Sequence, residues 1–133
     1  MTSVSGGGGL LDPEGAQEYL QSWKKRIDRM AADTQAMSDR LGRLRVTAQD
    51  DNGLAEVTID STGALVGVRF GPGIQRVQPD TVARAVMSAL RSTKRTAAEQ
   101  SRQIITETVG GDSVAGQAIA ERMERRLIEE DDG

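Results

Sequence analysis

The apolar residues of the first long run return in steps of four and three. Ala16, Leu20, Trp23, Ile27, Met30, Thr34, Met37, Leu41 and Leu44 fall on one side of a helix. That spacing predicts a first helix over residues 14–41 with a narrow heptad seam, suited to pairing with one other helix. Lys24, Lys25, Asp28, Asp39 and Arg40 take the opposite, solvated side. Gly42 is expected to end the helix. The period then changes to two. Leu44, Val46 and Ala48 alternate with polar residues, as do Ala55, Val57 and Ile59, then Val66, Val68 and Phe70. Two turns of D-x-x-G form, Asp50-Asp51-Asn52-Gly53 and Asp60-Ser61-Thr62-Gly63, separate these runs, with glycine free to take a positive φ. A three-stranded antiparallel meander with one apolar face follows.

Gly71-Pro72-Gly73 stops the sheet, and residues 71–79 read as a loop. Pro79 and Asp80 open a second long helix, with Asp80 as N-cap or first-turn acid. Its seam is Ala83, Val86, Leu90, Thr93, Ala97, Gln100 and Ile104, and it reaches about Val109. After Gly110-Gly111, Asp112 is placed to cap a short third helix striped by Ala115, Ile119, Met123 and Leu127. The reading is an α+β fold: long helix, three-stranded antiparallel meander, long helix, short C-terminal helix. Residues 1–14, with Gly6 to Gly9, read as a flexible tail. Residues 15–109 form the α-β-β-β-α domain, and residues 110–133 the amphipathic helix and the acidic tail Glu129–Asp132.

Lengths bear on assembly. A helix of 27 residues is about 40 Å long, while a seven-residue strand covers about 24 Å. Both long helices therefore overhang the sheet with apolar seams, and a homodimer is expected to cover them. The chain has only three aromatic residues, Tyr19, Trp23 and Phe70, so its core is thin and gains from a partner. Leu20, Trp23, Ile27, Met30, Val86 and Leu90 are the expected dimer contacts.

Composition narrows the chemistry. The sequence holds no histidine and no cysteine, the commonest general base, metal ligands and thiol nucleophile. No pair of acids is spaced for catalysis, since Asp50 and Asp51 sit in a turn. The acidic tail lacks the glycine and terminal glutamate of a calcium loop. The four glycines near the start lack the strand and the Lys-Ser/Thr of a phosphate loop. A non-enzymatic protein without cofactor or metal is expected. No run approaches 18 apolar residues, and the first residues show no leader pattern, so the expected address is the bacterial-type cytoplasm.

The net charge of −3 conceals an uneven distribution. Residues 24–102 carry 14 bases and 9 acids, whereas residues 103–133 carry 3 bases and 8 acids. Arg84, Arg91, Arg95 and Arg102 are spaced seven, four and seven, within about 20° of one direction on the second helix. Lys94 is the fifth base on that helix, against one acid, Glu99, between Thr81 and Thr106. Such a row either bridges phosphates along a duplex or is a solvated helix face. Arg43, Arg45 and Arg69, on the outer side of the sheet, form a second basic set. With no recognition-helix or zinc-finger signature, contacts to the DNA backbone are expected.

The segment "LRVTAQDDNGLAEVTIDSTGALVGVRFGP" resembles the core of the YbaB/EbfC family. The resembling positions are Leu44, Val46-Thr47, Gly53-Leu54, Val57-Thr58-Ile59-Asp60, Gly63, Leu65 and Val68, followed by a long helix. The resemblance covers about residues 15–108. It implies a tweezer-like homodimer, nucleoid-associated, that binds double-stranded DNA with little sequence preference. Some relatives are linked to type VII secretion as non-catalytic accessory proteins, so an interaction scaffold is the alternative. The C-terminal helix would then meet another protein.

Overall fold

The computed structural model describes residues 13–129. The Gly6–Gly9 stretch and the acidic run 130–132 lie outside the described residues. The chain divides into two compact units, one ending at Gln35 and the other beginning at Ala36. Helix α1 is Pro13–Arg43, with Glu14 in its first turn and Arg40 and Arg43 in its last, each charge matched to the helix dipole. It runs through Gly42 rather than stopping there. A glycine in the last turn costs about 1 kcal/mol against alanine, too little to end a helix that continues into packed residues. In the first unit, Leu20, Trp23, Ile27 and Met30 are all exposed.

In the second unit, strands β1 (Arg45–Gln49), β2 (Ala55–Asp60) and β3 (Leu65–Phe70) form an antiparallel sheet in the order β1-β2-β3. The two turns use one device. Asp50 Oδ1 accepts the Ala55 N–H at 2.8 Å and its Oδ2 accepts the Asn52 N–H at 3.2 Å. Asp60 Oδ1 accepts from Thr62 N, Thr62 Oγ1 and Ala64 N. Gly53 and Gly63 have φ of 68° and 88°, the left-handed region that the turns require. Gly71 serves differently: a Cβ there would strike the carbonyl oxygen of Gly53, where the two backbones meet.

The central strand alternates cleanly, with Ala55, Val57 and Ile59 buried. The third strand departs from expectation. A register shift at Thr58/Ile59 sets Leu65, not Val66, opposite Ile59. Leu65, Val66, Val68 and Phe70 all remain exposed, by 38–52%. The reason lies in the placement of helix α2 (Pro79–Thr108), which packs on β2 and β1 and leaves β3 beyond its main contact.

A short 3-10 turn, Pro72–Arg76, occupies the expected loop. Helix α2 then starts with Pro79 in its first turn after Gln78, and Asp80 is a first-turn acid rather than the cap. Its buried face is Ala85, Ala89, Thr93, Ala97, Ser101, Ile104 and Ile105. Ala83 and Gln100 of the expected seam are exposed, and Val86 and Leu90 are half-buried at the core margin. Small residues at steps of four let the helix backbone approach the sheet closely. The expected seam shares Thr93, Ala97 and Ile104 with this face and misses Ala85, Ala89, Ser101 and Ile105.

Helix α3 (Val114–Glu124) is capped by Ser113, not Asp112: Ser113 Oγ accepts the Gly116 N–H at 3.0 Å. A π-helical turn, Arg125–Glu129, continues it. Its inner residues are Gly116, Ala120 and Leu127, with Ile119 and Met123 half-buried, while Ala115 is exposed. One core cluster joins Val46, Val57, Ile59, Ala89, Ala97 and Leu127; a second joins Met37, Ile105 and Ala120. The C-terminal part of α2 is therefore covered by α3 and the final turns of α1. Its overhang, expected to need a second chain, is closed within this one.

Candidate nucleic-acid interface

The α2 residues opposite the alanine stripe form the strongest concentration of like charge. Thr93 and Ala97 are fully buried on one side, which directs Arg84, Arg91, Arg95 and Arg102 to the other, and all four are exposed. At 1.5 Å per residue the row extends about 27 Å. Arg84 Nη2 donates to Thr81 Oγ1 at 3.3 Å, within its own helix. Arg102 Nη2 donates to Glu124 Oε2 at 2.5 Å. Arg91 and Arg95 make no ion pair with a carboxylate among the described residues. Lys94 is half-buried and lies about 80° round the helix from the row.

The second basic set has a different character. Arg45 Nη1 donates to the carbonyls of Leu44, at 2.7 Å, and Gly42, and Arg45 stands opposite Asp60 in the ladder. Arg69 stands opposite Glu56. Arg43, expected on the outer side of the sheet, instead ends α1, because the helix runs through Gly42, and it is exposed there. The Asp60 carboxyl is held below its ordinary range, first by the Thr62 hydroxyl and then by the Ala64 and Thr62 N–H groups and the Arg45 charge; burial opposes them. The outer face of the sheet is thus balanced in charge, and the α2 row is not.

An open cleft of about 310 Å³ lies between the first turn and α2, lined by Asp50, Asp51, Thr81, Arg84 and Ser88 among others. Asp50 is 8% exposed and its oxygens hold the turn. Its carboxyl lies below the usual range because the Ala55 N–H favours the charged form more than burial opposes it. It is a turn former. Among the described residues, no group of three or more His, Cys, Asp or Glu is placed to hold a metal ion, and no helix is long and apolar enough to cross a membrane.

The model of the YbaB/EbfC DNA-binding family matches residues 17–112. The chain belongs to the YbaB/EbfC DNA-binding family. No curated protein matches the sequence. The members of the YbaB/EbfC family are DNA-binding, nucleoid-associated proteins, and the family is not known for an enzymatic activity. The family match takes in α1 from Gln17, the sheet and all of α2. It ends before α3, so Glu124 and Leu127 lie outside the matched residues. The apolar stripe singled out Leu127, but its seat beside Gly63 and the Glu124–Arg102 pair were not legible, because they join residues 22 or more positions apart.

Proposed function

We propose that this YbaB/EbfC protein binds double-stranded DNA through phosphate contacts, without reading base edges, as a homodimer in the bacterial nucleoid. The observation that carries this reading is the row Arg84, Arg91, Arg95 and Arg102, exposed along one face of α2 and opposite its buried face. A row of guanidinium groups at these spacings meets successive phosphates and releases their counterions, a term that is independent of sequence. Arg43, Arg45 and Lys94 are secondary contacts at most, since Arg45 is engaged with carbonyls and faces an acid.

Two apolar surfaces supply the dimer contacts. One is Leu20, Trp23, Ile27 and Met30 on α1; the other is Leu65, Val66, Val68 and Phe70 on β3. Val86 and Leu90 are partly committed to the core and contribute at its margin. The same exposed side chains favour the second reading, a non-catalytic accessory protein of a secretion system that docks another protein.

The deciding experiment replaces all four arginines by glutamine and measures binding to unrelated duplexes over a range of salt. The variant is expected to fold and dimerise while losing affinity for every sequence alike. The slope of log K against log salt should fall by about 0.9 for each phosphate that the variant no longer neutralises. Unchanged binding and slope would leave the row a solvated face and turn the reading to the accessory protein.

A further inference from the structure

Helix α1 carries a cluster of positive charge beside its exposed apolar stripe. Tyr19, Leu20, Trp23, Ile27 and Met30 are 43–63% exposed. At about 100° per residue they all fall within about 60° of Trp23, over a length of about 17 Å. Four bases, Lys24, Lys25, Arg26 and Arg29, and one acid, Asp28, lie within the same stretch, and all five are exposed. Lys24 and Arg26 flank the stripe on its two sides, about 100° and 60° from Trp23. Glu14, Glu18 and Asp28 are turned about 140° or more away. Asp33, about 80° round, is the one acid near an edge of the stripe among the described residues of this unit.

Each part of this layout matches one kind of surface. Tyrosine and tryptophan join an apolar body to a polar tip and settle where hydrocarbon meets water. Lysine and arginine beside an apolar stripe lay their stems along it and lift their charges to the headgroups. A lipid surface takes up such a helix flat, with its stripe sunk about 5–10 Å, and anionic headgroups attract the bases. A duplex would meet the bases but leave the five apolar side chains without a counterpart. No described helix is long and apolar enough to cross a membrane, so the contact is with the surface.

We infer that α1 lays its Tyr19–Met30 stripe on an anionic lipid surface, with Leu20, Trp23 and Ile27 in the interface and Lys24 and Arg26 at the headgroups. A second copy and a lipid surface exclude one another on this stripe, so the β3 contact holds the dimer while α1 is on lipid. The residues that meet lipid are separate from the arginine row of α2. The lipid contact does not need the DNA-binding reading above; taken with it, the chain tethers DNA to a membrane surface.

Trp23 is the sole tryptophan and reports from the centre of the stripe. The full chain is titrated with vesicles of phosphatidylcholine, with and without added phosphatidylglycerol. Trp23 emission should shift to the blue, with cosedimentation, on the anionic vesicles only, and the shift should fade as salt rises. Lys24→Gln and Arg26→Gln should each weaken vesicle binding about fivefold. Leu20→Gln combined with Ile27→Gln, at exposed sites that leave the core intact, should abolish it. Glutamine at the four α2 arginines should leave vesicle binding unchanged. If anionic vesicles shift nothing, or neutral vesicles shift the emission equally, the lipid assignment is overturned. A shift that follows protein concentration and ignores vesicles gives the stripe to a second copy and overturns it as well. So does a synthetic helix with leucine at a and d and glutamate at e and g, if it shifts Trp23 where vesicles do not: the partner is then an acidic helix. If the unaltered chain binds anionic vesicles but no duplex, the DNA-binding reading falls and the lipid contact stands.

Discussion

Leu127 packs under the β2–β3 turn, with its Cδ2 at 3.2 Å from the position a Cβ on Gly63 would occupy. The chain's last described turn therefore seals the same core that β2 and α2 build. Leu127→Ala should destabilise the fold by about 2–5 kcal/mol, the range for a buried leucine whose site only partly collapses. Urea denaturation checks it. A loss under about 1 kcal/mol, well below that range, would mean that the C-terminal turn is not part of the cooperative unit.

Ser101 is 1% exposed, and its hydroxyl has no hydrogen-bond partner among the described residues. Burying an unsatisfied hydroxyl costs stability that an isosteric methyl does not incur. Ser101→Ala should raise stability by about 1 kcal/mol. A lower melting temperature in the variant would show that the hydroxyl does find a partner.

Acid should weaken the two turns. Asp50 and Asp60 both have folded-state pKa values below the unfolded value, through the N–H and hydroxyl groups that they accept from. Their contribution is therefore fully present above the unfolded value near 3.8 and is lost as pH falls through the folded values. Denaturant midpoints should be flat from pH 7 to about 5 and fall below about pH 4. Asp50→Ala, which removes the acceptor at any pH, should cost about 2 kcal/mol and flatten the acid dependence.

Arg40 Nη2 donates to Glu107 Oε1 at 2.8 Å, tying the last turns of α1 to the end of α2. The Arg40 hydrogen bond, followed by that of Gln103, holds the Glu107 carboxyl below its usual range. Both groups are exposed, so salt screens the pair. NMR titration of Glu107 in Arg40→Gln should show its pKa rising towards the ordinary value; an unmoved titration would mean that the pair does not persist in solution.

Val68 and Phe70 present apolar surface on β3 that α2 leaves open, and Leu20 and Ile27 do so on α1. An aspartate at any of these positions leaves each monomer's buried core untouched but puts an unpaired charge into the proposed dimer contact. Val68→Asp and Ile27→Asp should sediment as folded monomers. A variant that stays dimeric excludes its own surface from the interface.

Local rules made much of this protein legible in its sequence. The change from heptad spacing to alternation located the strands between the helices. The two D-x-x-G turns follow from hydrogen bonds that reach no further than five residues. The common direction of Arg84, Arg91, Arg95 and Arg102 needs only about 3.6 residues per turn. What touches what between elements was a different matter. Whether Ala89 or Leu90 sits deepest against the sheet depends on how closely a backbone can approach, and the small side chain is the one fully buried. Whether Val68 and Phe70 are covered depends on where α2 lies across three strands, which no residue of β3 encodes. The capture of Arg102 by Glu124 and the seating of Leu127 beside Gly63 both require distant segments to arrive together. Periodicity is a property of one element, whereas burial and ion pairing are properties of two, and only the tertiary structure decided those.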